Sequence, residues 1–557
     1  MFVKRETFSL PQIVLITLAI LLGAGLRLAG NNQPFPSSDH AELAALVTFF
    51  YPRDWAMLLP STTSTWNLLT TAHGILPLTI GLISCTLTGL MGFQITEFWW
   101  NLPFVLINLT SIPLAASLVK RLSQPKAGVF AAFLVALMPI HVGLSRSSGL
   151  SHIPLTFWCQ LLSLLALLNY FEDQSPRQAT KAGLALALNL CVEQLFPLLF
   201  ILIFLYGILV IPSKPKTQPS LMQRVERTRR LLFTNRVMIL PLLIICFHFA
   251  VMLGYIGGFW ASGGPAARLR QGSSGEAGLH LFDAWNNASY CIGSLSLVLL
   301  LGLGMLNLPA LLRLEKRAFP LLWALVYLLP FVLFTRRHVY ELFLFGLAPL
   351  SLNAAILLAK VWQRSAKSGQ RWLIGGLFTM LSTLYLLRTF TMIFGFNPGT
   401  ELATLVGIGE APGARMPKDQ GLKAAAWWVR QNSQAADLVF GDSAYEQYQL
   451  WYYLHRPFLG VTDATRPEEA YLLLKTTKQP PKFYLVKAGN EGLLKKYAVD
   501  DPQLVGRVVE GNEDRLLIYS GLKEDRKAQV LDVLTANKKF DEAFGGKQMI
   551  FALKGFR

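Results

Sequence analysis

The residues of this chain whose types and spacing could do chemistry are carboxylates, histidines and arginines set between apolar segments. The first group is Ser37-Ser38-Asp39-His40-Ala41-Glu42. Its spacing alone favours a helix start, with Ser38 or Asp39 capping and Glu42 in the first turn. The sharper alternative makes Asp39 a general base facing the membrane surface. Arg53 with Asp54, and His73 at the head of an apolar segment, read most simply as a surface ion pair and an interfacial histidine. A third group runs from Ser145-Arg146 to Ser151-His152, and a fourth gathers Arg268, Arg270, Glu276, His280 and Asp283 in a Gly- and Ser-rich stretch whose composition suits a lid. The fifth is Arg336-Arg337-His338, just before Val339-Tyr340. Guanidinium groups in such places either anchor to anionic headgroups, at about 1 kcal/mol each, or form a pocket for a lipid phosphate through paired charge-assisted hydrogen bonds.

The elements that must position these groups are membrane helices. Of 557 residues, 53% are hydrophobic and only 15% charged, against roughly a quarter charged in an ordinary soluble domain. The mean hydropathy is +0.41, which excludes disordered, collagen-like and disulfide-scaffold classes. The period-two alternation of a membrane barrel is missing. The apolar runs lie at about 10–30, 99–119, 127–144, 153–171, 182–211, 237–257, 289–312, 318–334, 339–359 and 372–392. The fifth is too long for one span, and Glu193 with Pro197 predicts a break there. That gives about 11 crossings.

Loop charge sets the orientation. Lys4 and Arg5, Lys120, Arg121 and Lys126, Arg177 and Lys181, the run from Lys214 to Arg236, Arg313, Lys316 and Arg317, and Lys360 to Arg371 share one side. The opposite short loops carry only Arg53, Arg146, Arg268, Arg270, Arg336 and Arg337. The N-terminus is therefore expected in the cytoplasm, and everything after residue 393 outside. Segments 31–98 and 258–288 become outer loops, and the Gly- and Thr-rich stretch from His73 to Phe93 is expected along the outer membrane face.

Beyond Lys418 charges become frequent, and helical and strand periods alternate. Helices are expected at 418–432, 444–455 and 467–477, strands at 437–441 and 482–487, and a hairpin from 505–510 and 515–519 around Gly511-Asn512-Glu513-Asp514. The expected architecture is an all-α polytopic membrane domain over 1–393 and a soluble extracytoplasmic α/β domain over 394–557. The five cysteines form no metal-type or redox spacing. Common phosphate-loop, serine-hydrolase, zinc-protease and dinucleotide signatures are missing.

Four passages together resemble the GT-C membrane glycosyltransferases, specifically the protein O-mannosyltransferases and the lipid A aminoarabinose transferase. They are Pro36-Ser-Ser-Asp-His-Ala-Glu-Leu-Ala, His73-Gly-Ile-Leu-Pro-Leu, Ala136-Leu-Met-Pro-Ile-His-Val-Gly-Leu-Ser-Arg146, and the run from Arg336-Arg-His-Val-Tyr to Pro349. The resemblance implies transfer of a sugar, with inversion, from a polyprenyl-phosphate donor to an acceptor hydroxyl on a protein, lipid or glycan. The place implied is the outer face of a bacterial inner membrane. By the same resemblance Asp39 takes the acidic position that orients or deprotonates the acceptor, Glu42 follows it, and Arg268, Arg270, Arg336 and Arg337 neutralise the departing lipid phosphate. His40, Arg53, His73, Arg146, His152, His280 and Tyr340 become substrate-binding candidates, with a divalent metal as an optional cofactor and no nucleic-acid partner. His40, the Ser151-His152 region and Glu193-Gln194 depart from the family pattern, which implies another sugar, another acceptor or lost activity. The competing readings are an oligosaccharyltransferase, although Trp99-Trp100-Asn101 and Trp427-Trp428-Val429 lack the Asp of its Trp-Trp-Asp motif, and a transporter or accessory subunit with a degenerate GT-C fold.

Overall fold

In a computed structural model, residues 7–29, 75–91, 96–146, 152–192, 196–211, 220–233, 236–246, 281–334, 340–365, 368–394, 421–434, 437–442, 453–454, 458–461, 481–492, 494, 502–510, 513–520 and 528–544 are described. Where they are described, the apolar runs are largely helical. They are α1 (Leu10–Leu28), α2 (Ile75–Leu90), α3 (Glu97–Leu109), α4 (Ser111–Leu122), α5 (Pro125–Leu137), α6 (Pro139–Arg146), α7 (His152–Asp173), α8 (Pro176–Leu190) and α9 (Phe196–Val210). There follow α10 (Leu221–Leu232), α11 (Arg236–Cys246), α12 (Leu281–Ile292), α13 (Ser294–Leu312), α14 (Phe319–Phe334), α15 (Leu344–Arg364) and α16 (Ser368–Phe394). Among the described residues six helices are long and apolar enough to cross a membrane, or seven if the bent pair α5 and α6 is one span. This is a multi-pass membrane protein, although the expected count of about 11 crossings is larger.

Three runs differ from plain spans, each for a local reason. The 182–211 run is divided as expected, α8 ending at Leu190 and α9 starting at Phe196. The 127–144 run bends by 50° where α5 meets α6, because Pro139 has no amide hydrogen to give Val135 and its ring disfavours a continuous helix. The 289–312 run is parted at Gly293, whose φ of +86° favours a residue without a side chain. In the 73–93 stretch α2 packs on α3. A Cβ on Gly81 would lie 2.4 Å from the Trp100 ring, so the glycine sets how closely the two helices approach. Ile83, Leu87 and Leu90 of α2 point outward, a face suited to lipid.

Among its described residues the C-terminal part holds a six-stranded mixed sheet and the helices α17 and α18. α17 (Leu422–Asn432) precedes β1 (Val439–Asp442), β2 (Phe458–Val461), β3 (Phe483–Lys487), β4 (Gln503–Glu510), β5 (Glu513–Ser520) and β6 (Gln529–Asp532), and α18 (Val533–Phe544) follows. The strand order is β2-β1-β3-β5-β4-β6. β1 pairs in parallel with β2 and β3, and β6 in parallel with β4. β4 and β5 form the expected antiparallel pair, from Gln503 opposite Ser520 to Glu510 opposite Glu513, with register shifts between Leu504 and Gly506 and between Val508 and Val509. The expected helix at 467–477 and most of that at 444–455 lie outside the described residues.

Candidate functional site

The centre of the bundle's polar chemistry is the bend between α5 and α6. Every residue of α6 is buried, so the carbonyls that Pro139 leaves without a helical donor need partners from elsewhere. Arg27, at the end of α1, supplies them. Its Nη1 donates to Ala136 O at 3.0 Å and to Gly23 O at 3.0 Å, and Nη2 donates to Val135 O at 3.3 Å. The same Nη2 lies 2.6 Å from His141 Nδ1. A guanidinium only donates, so Nδ1 accepts and the imidazole is neutral, with its hydrogen on Nε2.

Two further bonds fasten neighbouring helices to this bend, and a third ties one of those helices to α12. Asn101 Nδ2 of α3 donates to Ser145 O at 3.1 Å. Thr389 Oγ1 of α16 donates to Leu137 O at 3.0 Å. Next along α16, Arg388 Nε donates to Tyr290 O of α12 at 3.0 Å, and its guanidinium lies 5.1 Å from the Tyr290 ring. α12 in turn packs against α6, α14 and the 3-10 turn Tyr340–Phe343. Of the helices from which the candidate loops hang, α1, α7 and α12 pack against α6.

Of the sequence-predicted residues, Arg146 is the last of α6 and only 5% exposed, inside the bundle rather than on a surface turn. His152 opens α7 and Tyr340 opens the 3-10 turn; their side chains lie outside the described set. Asp39, His40, Glu42, Arg53, His73, Arg268, Arg270, His280, Arg336 and Arg337 lie outside the described residues. Their flanking elements are α1 and α2 for the first five, α12 for the next three, and α14 with the 3-10 turn for the last pair. Sequence reasoning missed Arg27, His141 and Arg388 as framework groups. The available signal was a charge or imidazole inside an apolar run, since such a group near the bilayer needs a partner.

The sheet region docks onto the same end of the bundle. Glu97 opens α3, one turn before Asn101, and its carboxylate meets Lys423 Nζ of α17 at 3.1 Å. Tyr453 donates its hydroxyl to Glu97 Oε1 at 2.8 Å. The rings of Phe540 and Tyr453 stand 5.5 and 6.0 Å from the ammonium. One apolar cluster runs from Ile80, Trp100 and Phe104 in the bundle to Leu422, Trp428 and Phe483 in the sheet region. Among the described residues no group of three side chains suited to a metal is present.

No family model matches the sequence, and no curated protein matches it. Solved structures do match. ArnT from Cupriavidus metallidurans in the apo state is 13% identical, with a TM-score of 0.59 over 92% of this chain and 98% of that one. The same protein bound to undecaprenyl phosphate gives a TM-score of 0.58 over the same shares, also at 13% identity. The Archaeoglobus fulgidus oligosaccharyltransferase in complex with Zn and sulfate is 12% identical, with a TM-score of 0.52 over 85% of this chain and 68% of that one. At such identities the likeness lies in the fold, and its reach over nearly the whole of both chains takes in the bundle and the sheet region together. The chain has the fold of the GT-C membrane glycosyltransferases and resembles the lipid A aminoarabinose transferase ArnT.

Proposed function

We propose that this protein is an inverting glycosyltransferase of the outer membrane face, which moves a sugar from a polyprenyl-phosphate carrier to an acceptor hydroxyl. The observation that carries the reading is the likeness over 92% of the chain to a protein solved with undecaprenyl phosphate. A second support is internal: α1 and α12, each of which borders a candidate loop, are tied to the α5–α6 bend and to α16 by Arg27 and Arg388 respectively.

In the proposed reaction the Asp39 carboxylate takes the proton of the acceptor hydroxyl as its oxygen attacks the anomeric carbon. The bond from that carbon to the carrier's phosphate oxygen breaks, and the carrier leaves as polyprenyl phosphate. A single displacement of this kind inverts the anomeric centre. Negative charge grows on the leaving phosphate, and the guanidinium groups of Arg268, Arg270, Arg336 and Arg337 would act where it grows. Glu42 stands near Asp39 in sequence and would share acceptor positioning. His40, Arg53, His73, Arg146, His152, His280 and Tyr340 are assigned to substrate contacts, and the sheet region to the outer side.

The test is to incubate the purified protein with a panel of polyprenyl-phosphate monosaccharides and find which one loses its sugar. Asp39→Asn should abolish turnover while retaining carrier binding, and Arg337→Ala should weaken that binding. Turnover of Asp39→Asn at the parental rate would remove the base. A protein that neither binds polyprenyl phosphate nor consumes any lipid-linked sugar would overturn the reading.

A further inference from the structure

The chain turns from α15 into α16 through a strongly basic stretch. Lys360, Arg364, Lys367 and Arg371 occur with no acidic residue from Leu358 to Met380. Beside this turn a cavity of about 880 Å³ opens along α16, lined by Trp362, Arg371, Trp372, Gly375, Gly376 and Thr379 among others. Its size lies within the roughly 300–1,000 Å³ of small-molecule sites. Two adjacent glycines form its floor. A Cβ on Gly375 would meet the Trp362 ring at 3.4 Å, whereas one on Gly376 would meet nothing within 4 Å. Arg371 Nε donates to Ser365 O at 3.1 Å, which holds the guanidinium beside the groove. Trp372 and Leu373 are 81% and 75% exposed. In a membrane protein such side chains face lipid, and indoles favour the headgroup level.

We propose that this groove binds an anionic glycerophospholipid, with one acyl chain along Gly375 and Gly376 between the indoles of Trp362 and Trp372 and the phosphate paired with Arg371. Charge selects the occupant. The groove has a mostly apolar lining and ends at a guanidinium whose flanking sequence, from Leu358 to Met380, holds bases and no carboxylate, so an acylated lipid carrying net negative charge fits both ends. A zwitterionic lipid would bring its own cation into that basic neighbourhood. The site lies in the α15–α16 turn and depends on none of the loop residues assigned to sugar transfer.

Native mass spectrometry of the detergent-purified full chain, equilibrated with phosphatidylglycerol or phosphatidylcholine of identical acyl chains, tests this. The wild type should retain phosphatidylglycerol in preference to phosphatidylcholine. Arg371→Gln should lower that retention about tenfold, the loss of one charge-assisted phosphate contact, and Arg371→Lys should recover part of it. Gly376→Leu projects into open space and should block the acyl chain without disturbing packing, so both lipids should be lost while the melting temperature in phosphatidylcholine micelles stays near the parental value. Equal retention of the two lipids by the wild type, or wild-type retention in both Arg371→Gln and Gly376→Leu, would overturn the proposal.

Discussion

Lys423 Nζ stands 3.1 and 3.2 Å from the two carboxylate oxygens of Glu97, and each side chain is 1% exposed. The sheet region and the bundle thus meet through a desolvated ion pair, completed by the Tyr453 hydroxyl. The strength of such a pair shows when one partner goes, because the remaining charge stays buried without compensation. Lys423→Met should therefore destabilise the protein by about 3–5 kcal/mol, read as a lower thermal midpoint and faster proteolysis between α16 and β1. The double replacement Glu97→Gln with Lys423→Met should recover most of that loss. A Lys423→Met protein that melts with the wild type would show that the apolar cluster alone holds the two parts together.

Arg27 compensates for a proline 112 positions away, since it bonds Val135 O and Ala136 O at the bend that Pro139 creates. Arg27→Leu should cost about 2–3 kcal/mol, the range for losing charged hydrogen bonds and stranding buried acceptors. Arg27→Lys should fall between, because an ammonium lacks the planar fork that reaches several acceptors together. Pro139→Ala restores an amide hydrogen to Val135, so Arg27→Leu should cost less in that background. Equal costs in both backgrounds, measured by thermal unfolding in micelles, would detach the arginine from the bend.

The spans were legible because lipid demands long apolar runs, and the break at 191–195 was legible because Glu193 and Pro197 both oppose a continuous lipid-facing helix. The β4–β5 hairpin was legible through the turn residues beside Gly511. β2 and β6 were not: each has four residues, and each pairs in parallel with its partner across a crossover rather than a tight turn, so neither alternation nor a turn signal announces it. The α5–α6 bend was passed over although Pro139 marks it, because the apolar composition continues through the proline. Glu97 and Lys423 were not singled out, since a pair so far apart in the chain has no local pattern. The acidic and basic loop residues of the candidate site were chosen by type and spacing, and Arg146 illustrates the limit. A sequence showing it between two apolar runs cannot reveal that α6 carries it into the interior.

On α10, Glu226 accepts from Arg229 Nε and Arg230 Nε, each at 2.8 Å. The hydrogen bond from Arg229 first, and then that from Arg230, pulls its carboxyl down to about 2. A carboxyl lowered on folding contributes stability that is fully present above its unfolded value near 4.3 and is lost as pH falls toward about 2. Carbon-13 spectra of Glu-labelled protein, with Glu226→Gln identifying the signal, should show this carboxylate still ionised at about pH 3, where an ordinary glutamate is protonated. The group is exposed, so 1 M salt, with a screening length of about 3 Å, should move its midpoint upward. A midpoint near 4 at low salt would show that the two arginines do not hold it.

Arg388 is a positioning residue that belongs to no candidate loop. Its guanidinium donates to Tyr290 O near the C-terminal end of α12 and leans on the Tyr290 ring, while Thr389 holds Leu137 at the bend. α12 is the element that follows Arg268, Arg270 and His280, so freeing it from α16 should loosen those groups without removing any of them. Arg388→Gln keeps a donor but loses the charge and the fork. It should weaken polyprenyl-phosphate binding roughly fivefold to tenfold, about 1–1.4 kcal/mol, and affect KM for the donor more than kcat, because an anchoring contact acts on bound substrate and transition state alike. Arg388→Lys should restore much of the affinity. A purely structural role would instead lower the melting temperature and leave donor affinity per folded molecule unchanged, and that result would sever α12 from carrier binding.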